Sequence, residues 1–167
     1  MRFSRAQSRS RRGQSLAELA AGLMVFVPII LLLADCAVIV IGVAQNDTAC
    51  RDAARAASSG PPGQMLAGTR DLGAGQEPYR RAKSVIKDVY SLGGLIKISE
   101  TMAVKETVKN PVPEAPHGGP ILGEVSVQTT AEISPPFLIG AIVHSGSIQF
   151  KNTRRFPYTY VMPSSGG

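Results

Sequence analysis

Tryptophan is absent from this 167-residue chain, aromatics make up only 5%, and there are two cysteines and two histidines. With so few aromatics, any soluble core has to be built from Val, Ile, Leu and Ala. Cys36 and Cys50 fall in what reads as one helix, ~21 Å apart at 1.5 Å per residue, so a disulfide between them within that helix is excluded. No disulfide framework is possible either. The two cysteines read as small helix-packing residues, with a bond between subunits as the alternative. His117 sits in a Pro/Gly loop and His144 follows an apolar run, and neither has the spacing of a metal-ligand pair. There is no Gly-x-Ser-x-Gly nucleophile turn and no phosphate-binding glycine loop. Ser145-Gly146-Ser147 beside His144 reads as a turn. The expectation is therefore no enzyme, no cofactor, no metal and no small-molecule substrate.

A second scarcity is charge: 18% of residues are Asp, Glu, Lys or Arg, against 44% hydrophobic. The chain is too apolar to be disordered, and its length suits one small domain plus an anchor. The formal net charge of +6 is unevenly placed. Arg2, Arg5, Arg9, Arg11 and Arg12 lie in residues 1–13 without an acid, leaving 13 Lys+Arg against 12 Asp+Glu in the rest. A nucleic-acid binder carries its basic patch on the folded surface. A basic arm next to an apolar segment instead orients a membrane helix, so no nucleic-acid partner is expected.

What the chain has in plenty is a long apolar run. Residues 19–44, interrupted only by Asp35, form about 26 residues, or ~39 Å as a helix, enough to cross a ~30 Å hydrocarbon core. The preceding arginines place the N-terminus in the cytoplasm. A cleaved secretory signal fits poorly, because its apolar core would be 7–15 residues long. Residues 44–59 are alanine-rich, with Asp47 and Arg51 at i,i+4 and Asp52 and Arg55 at i,i+3, so the helix continues beyond the membrane. Gly60-Pro61-Pro62-Gly63 stops it. The spacing predicts one helix of about 45 residues, kinked at Pro28. Acids in a membrane span are costly and imply pairing. For Glu18 the alternative is a carboxylate at the helix start, favoured by the macrodipole. For Asp35 it is a polar site at the outer membrane boundary, tilting toward water.

Residues 11–18, Arg-Arg-Gly-Gln-Ser-Leu-Ala-Glu, resemble the processing site of type IV prepilins and pseudopilins. In that family a basic leader ends in glycine, a prepilin peptidase cuts after it, and the fifth mature residue is glutamate. Here the cut would fall between Gly13 and Gln14, with Glu18 fifth. The wider segment 11–60 is similar to the TadE-like family of the tight-adherence (Tad) pilus system. The matching features are Gly13, the 16–20 core around Glu18, Pro28, the 30–33 apolar run, Asp35, and Ala53-Ala54-Arg55-Ala56-Ala57. Leu19 and Cys36 stand where aromatics are frequent. The resemblance implies a cleaved leader and a Glu18 carboxylate that pairs with the Gln14 amine of a neighbouring subunit. Small residues at Ala17, Ala20, Ala21 and Gly22 would allow close helix approach.

Beyond the break, residues 64–76 read as a loop. Glu77-Pro78 opens a short helix with the apolar stripe Tyr79, Ala82, Ile86 and Val89, ended by Gly93-Gly94. Arg80, Arg81, Lys83 and Lys87 read as its solvated face. Segments 96–108, 125–133 and 148–160 alternate with period two, separated by a Pro/Gly loop at 110–123 and an apolar stretch at 137–143. That stretch reads as buried core or a short helix, with an exposed partner site as the alternative. The expected fold class is α+β: a long N-terminal transmembrane helix extending into a small domain with a short helix and an antiparallel sheet of about three strands. Its parts are a basic leader (1–13), the TadE-like helix (14–60) and an extracytoplasmic domain (64–167). The resemblance implies a minor pilin or pseudopilin of a Tad-type pilus in the bacterial inner membrane. Its partners would be the membrane, prepilin peptidase, other pilin-like subunits and the assembly platform. The alternative is an uncleaved, membrane-anchored adaptor or binding protein.

Overall fold

The computed structural model describes residues 6–90, 94–110, 118–142 and 146–163, with the backbone alone for 6–13. His117, His144, Ser145 and Gly93 lie outside the described residues. Alanine and leucine dominate the first third, and they form one helix, α1 (Ala6–Ser58), which runs through Pro28 and joins the apolar run to the alanine-rich segment. The Asp47–Arg51 pair closes at 3.0 Å on its surface. The Gly/Pro cluster ends α1, and its last carbonyls find a donor in Arg81. That guanidinium donates to the Ala56 oxygen at 3.1 Å, Ala57 at 2.9 Å and Pro61 at 3.1 Å. Arg81 is thus a cap on another helix, a correction to the solvated face expected for it. Terminal carbonyls left without intrahelical partners draw a cation strongly.

Helix α2 (Glu77–Val85) begins with proline in its first turn and continues into a wider π-helical turn, Ile86–Tyr90. Ala82 and Ile86 are buried as their spacing requires, but Val89 is 55% exposed. The extra residue per turn rotates the stripe. Tyr90 occupies the inner position instead, and its hydroxyl donates to Asp52 at 2.7 Å.

The sheet is antiparallel throughout and contains β1 (Gly68–Leu72), β2 (Ile96–Ile98), β3 (Ala103–Val108), β4 (Gly119–Ile133) and β5 (Ile148–Met162). β4 is central. It pairs with β5 along its whole length on one edge, and with β3 and β2 in turn on the other. The predicted strand at 96–108 is therefore one line broken in the middle: residues 99–102 span the gap opposite only Thr129 and Thr130. β1 adds outside β3 and lies in the segment expected to be loop. Only Leu72 of β1 is buried, so alternation gave no signal; ladder bonds and the Thr69–Thr107 hydroxyl contact (2.9 Å) hold it. β4 likewise starts inside the expected 110–123 loop, at Gly119. Gly123 is required there: a Cβ would collide with the ring of Tyr158, its partner across the ladder.

Side chains at the odd positions of β4 (Val125, Val127, Thr129, Ala131 and Ile133) are buried, as the period-two pattern predicts. They face α1, whose inner stripe is Ala49, Cys50, Ala53 and Ala57. Such small residues let the helix lie close on the sheet. At Gly42 the helix leaves no room for a side chain, and a Cβ there would strike the Ile133 side chain. Between β4 and β5 the chain forms α3 (Leu138–Ile142), a short helix without a buried residue. The architecture is α+β, a long helix whose second half packs on a small antiparallel sheet.

Candidate functional site

α1 has two halves of opposite character. Its C-terminal half is fastened to the sheet by paired polar groups as well as by small apolar ones. Asn46 is buried, donates to the Phe150 carbonyl at 3.0 Å and accepts from the Thr129 hydroxyl at 2.8 Å. The Cys50 thiol points into the same interface and donates to the Val127 carbonyl at 3.2 Å. Asp47 accepts from Asn152 at 2.6 Å and Arg154 at 2.8 Å, and Arg55 lies 5.7 Å from the Phe156 ring centroid. Just past the helix, buried Glu106 on β3 accepts from the Gly63 and Gln64 amides at 3.0 and 3.3 Å, and from the Tyr158 hydroxyl at 3.0 Å. Burial, followed by the Glu106 charge, pushes the Tyr158 phenol well above its usual range. Among the described residues, every buried side-chain nitrogen and oxygen has a partner.

The N-terminal half is bare. Residues 14–30 are exposed throughout, and eleven large apolar side chains between Leu16 and Leu33 are 45–83% exposed. Full burial of such a side chain is worth roughly 1.5–3 kcal/mol, and each of these forgoes about half or more of it. A helix with this apolar surface all round belongs in a lipid or in a bundle. Gln14–Ser58 is long and apolar enough to cross a membrane. Glu18 is exposed in this half and accepts from the Gln14 side-chain amide at 3.2 Å. Gln14 and Gly13 are both within α1, and of Gly13 only the backbone is described.

Asp35 stands where the two halves meet. It is fully buried and accepts from the backbone N–H of Phe137 at 2.9 Å and of Ile139 at 2.7 Å. Of the two readings offered for it, pairing or a tilt toward water, its side chain has partners within the chain, and the carboxylate holds the start of α3 against α1. Cys36, beside it, is exposed and free. The apolar 137–143 stretch does form a short helix, but Phe137 is 45% and Ile142 74% exposed, so it is not core.

Sequence reasoning missed Asn46, Asp52, Arg81 and Glu106 as structural partners. Glu106 was findable, because it shares the buried phase of Met102, Val104 and Val108. An acid in that phase must be satisfied inside. Among the described residues, no group of three or more His, Cys, Asp or Glu side chains could hold a metal ion. A shallow groove beside α2 is lined by Ala74, Tyr79, Arg80, Lys83, Ser84 and Lys87. No family model, curated protein or solved structure matches the chain.

Proposed function

We propose that this chain is a membrane-anchored, pilin-like subunit: a TadE-like minor pilin or pseudopilin that is cleaved after Gly13 and helps assemble a Tad-type pilus for surface attachment. The carrying observation is the division of α1 into a bare apolar half and a half docked on an antiparallel sheet. A subunit of a helical bundle needs that form. The apolar half sits in the bilayer before assembly and against copies of itself or related subunits afterwards. The five leader arginines keep the N-terminus cytoplasmic, which puts the sheet outside.

Glu18 supports the same reading. Among the described residues its hydrogen-bond partner is a neutral amide, which does not balance its charge. Inside a packed bundle an unpaired carboxylate costs several kcal/mol, so it calls for a cation from elsewhere. The amine freed at Gln14 of a neighbouring subunit would supply one.

The test is the N-terminal mass of protein purified from membranes of a host that has a prepilin peptidase. Material beginning at Gln14 is the expected result. An intact Met1–Gly13 leader on every molecule overturns the cleavage and favours an uncleaved anchored adaptor. Glu18→Ala should then reduce assembled fibre while leaving membrane insertion unchanged, and normal fibre output would remove the pairing role.

A further inference from the structure

The end of the domain nearest the bare half of α1 has a composition unlike the rest of the molecule. Three parts of the chain meet there: α1 just past Asp35, the approach to β2, and the β4–β5 connection carrying α3. Ser134 donates to the Leu95 carbonyl at 2.7 Å, Asp35 holds the start of α3, and Gly42 lies against Ile133 and Ile96. None of the three contributes a charged residue. Residues 36–46, 89–96 and 133–150 contain no Asp, Glu, Lys or Arg. Charges begin one residue further along the sheet, at Lys97 and Glu132, which face each other across the ladder. Beyond them come Asp47, Arg51, Arg154 and Arg155.

The same end exposes large apolar side chains: Leu95, Phe137 and Ile142 from the domain, and Val40 and Ile41 from α1. Distance along α1 fixes where this surface sits. From Gln14 to Asp35 is about 21 residues, or ~31 Å, against a hydrocarbon core of ~30 Å. The domain thus begins to cover the helix where a membrane crossed by the bare half would end.

We propose that α3 and the neighbouring Leu95 form a second membrane contact, a collar that lies in the outer face of the lipid bilayer and seats the domain on it. The occupant is lipid. The surface is continuous with the apolar anchor, its exposed described side chains are uncharged, with Asp35 buried behind them, and charges begin one layer away at Lys97 and Glu132. An uncharged apolar surface at the level where the span ends is at home against the acyl boundary rather than against water. Asp35 is the positioning residue, since it fixes α3 to α1 at that level. The collar rests on the membrane-anchor reading of α1.

The chain has no tryptophan, so single substitutions give clean fluorescence reporters. Full-length Ile142→Trp, Leu23→Trp and Lys105→Trp proteins would each be reconstituted in phosphatidylcholine vesicles, with and without lipid brominated on the acyl carbons nearest the glycerol. Ile142 is 74% exposed, so its replacement leaves the core untouched. The expected result is blue-shifted, bromide-quenched emission from Ile142→Trp, and water-like, unquenched emission from Lys105→Trp. Water-like, unquenched emission from Ile142→Trp while Leu23→Trp is buried in lipid overturns the collar and leaves the anchor standing. Failure of Leu23→Trp to enter lipid overturns the anchor and the collar together. A blue shift without quenching, growing with protein-to-lipid ratio, assigns the surface to a second copy and also overturns the collar.

Discussion

Asn46, Asp47 and Cys50 on the second half of α1 are paired with the sheet, whereas Leu23, Met24 and Phe26 on the first half are exposed. Glu106 is the clearest paired case, with two backbone amides and one phenol donating to a buried carboxylate. Glu106→Ala leaves three donors unmet and should lower the stability of the domain by about 1–3 kcal/mol, read from denaturant unfolding in detergent. Glu106→Gln, which keeps one acceptor oxygen, should lose less. Tyr90 gives a pH signature. Burial, then its bond to Asp52, raises its phenol from 10 to about 12. The unfolded chain releases this proton first, so the contribution is complete below pH 10 and is lost as pH rises toward 12. Alkaline unfolding followed by tyrosinate absorbance should show this loss, and Tyr90→Phe should reduce it, leaving the part that Tyr158 contributes. No loss between those values in the wild type would remove Tyr90 from the interface.

Elements were unequally legible. α1 was readable because its apolar run, alanine-rich exit and Gly/Pro stop agree with one another. The buried face of β4 was readable because Val125, Val127, Ala131 and Ile133 alternate cleanly. β1 was not, since four of its five residues lie outside the core and its conformation comes from pairing with β3. The π-helical turn at 86–90 was hidden too, because the 3.6-residue rule places Val89 where Tyr90 goes. Of the site residues, Glu18 and Asp35 stood out as acids in an apolar run, but the backbone partners of Asp35 lie more than a hundred residues away and left no local trace. Gly42 drew no notice in the sequence, yet Ile133 of β4 occupies the space its side chain would need. Gly42→Val should cost about 1–3 kcal/mol through overpacking against Ile133, measured as a lower unfolding midpoint, whereas Gly22→Val, in open space, should leave that midpoint unchanged.

For the whole molecule, what matters is that α1 joins its two halves without a linker. Residues inserted just before Asp35 would turn the domain about the helix axis by ~100° each. Two inserted alanines (~200°) should abolish fibre output in cells while leaving the domain's unfolding midpoint unchanged. Four, which return the phase to within ~40°, should retain more output. Equal output from the two variants would mean that the orientation of Glu18 relative to the sheet is irrelevant to assembly.

A shaft without a joint also has a mechanical consequence. Any tilt or twist of the bare half is handed directly to the sheet, because the helix between them has no hinge other than the single proline at position 28. The domain therefore cannot search for neighbours by swivelling on its anchor, and its heading is settled before any contact is made. Force pulling on the sheet would travel back along the same rod into the bare half rather than unfolding a tether.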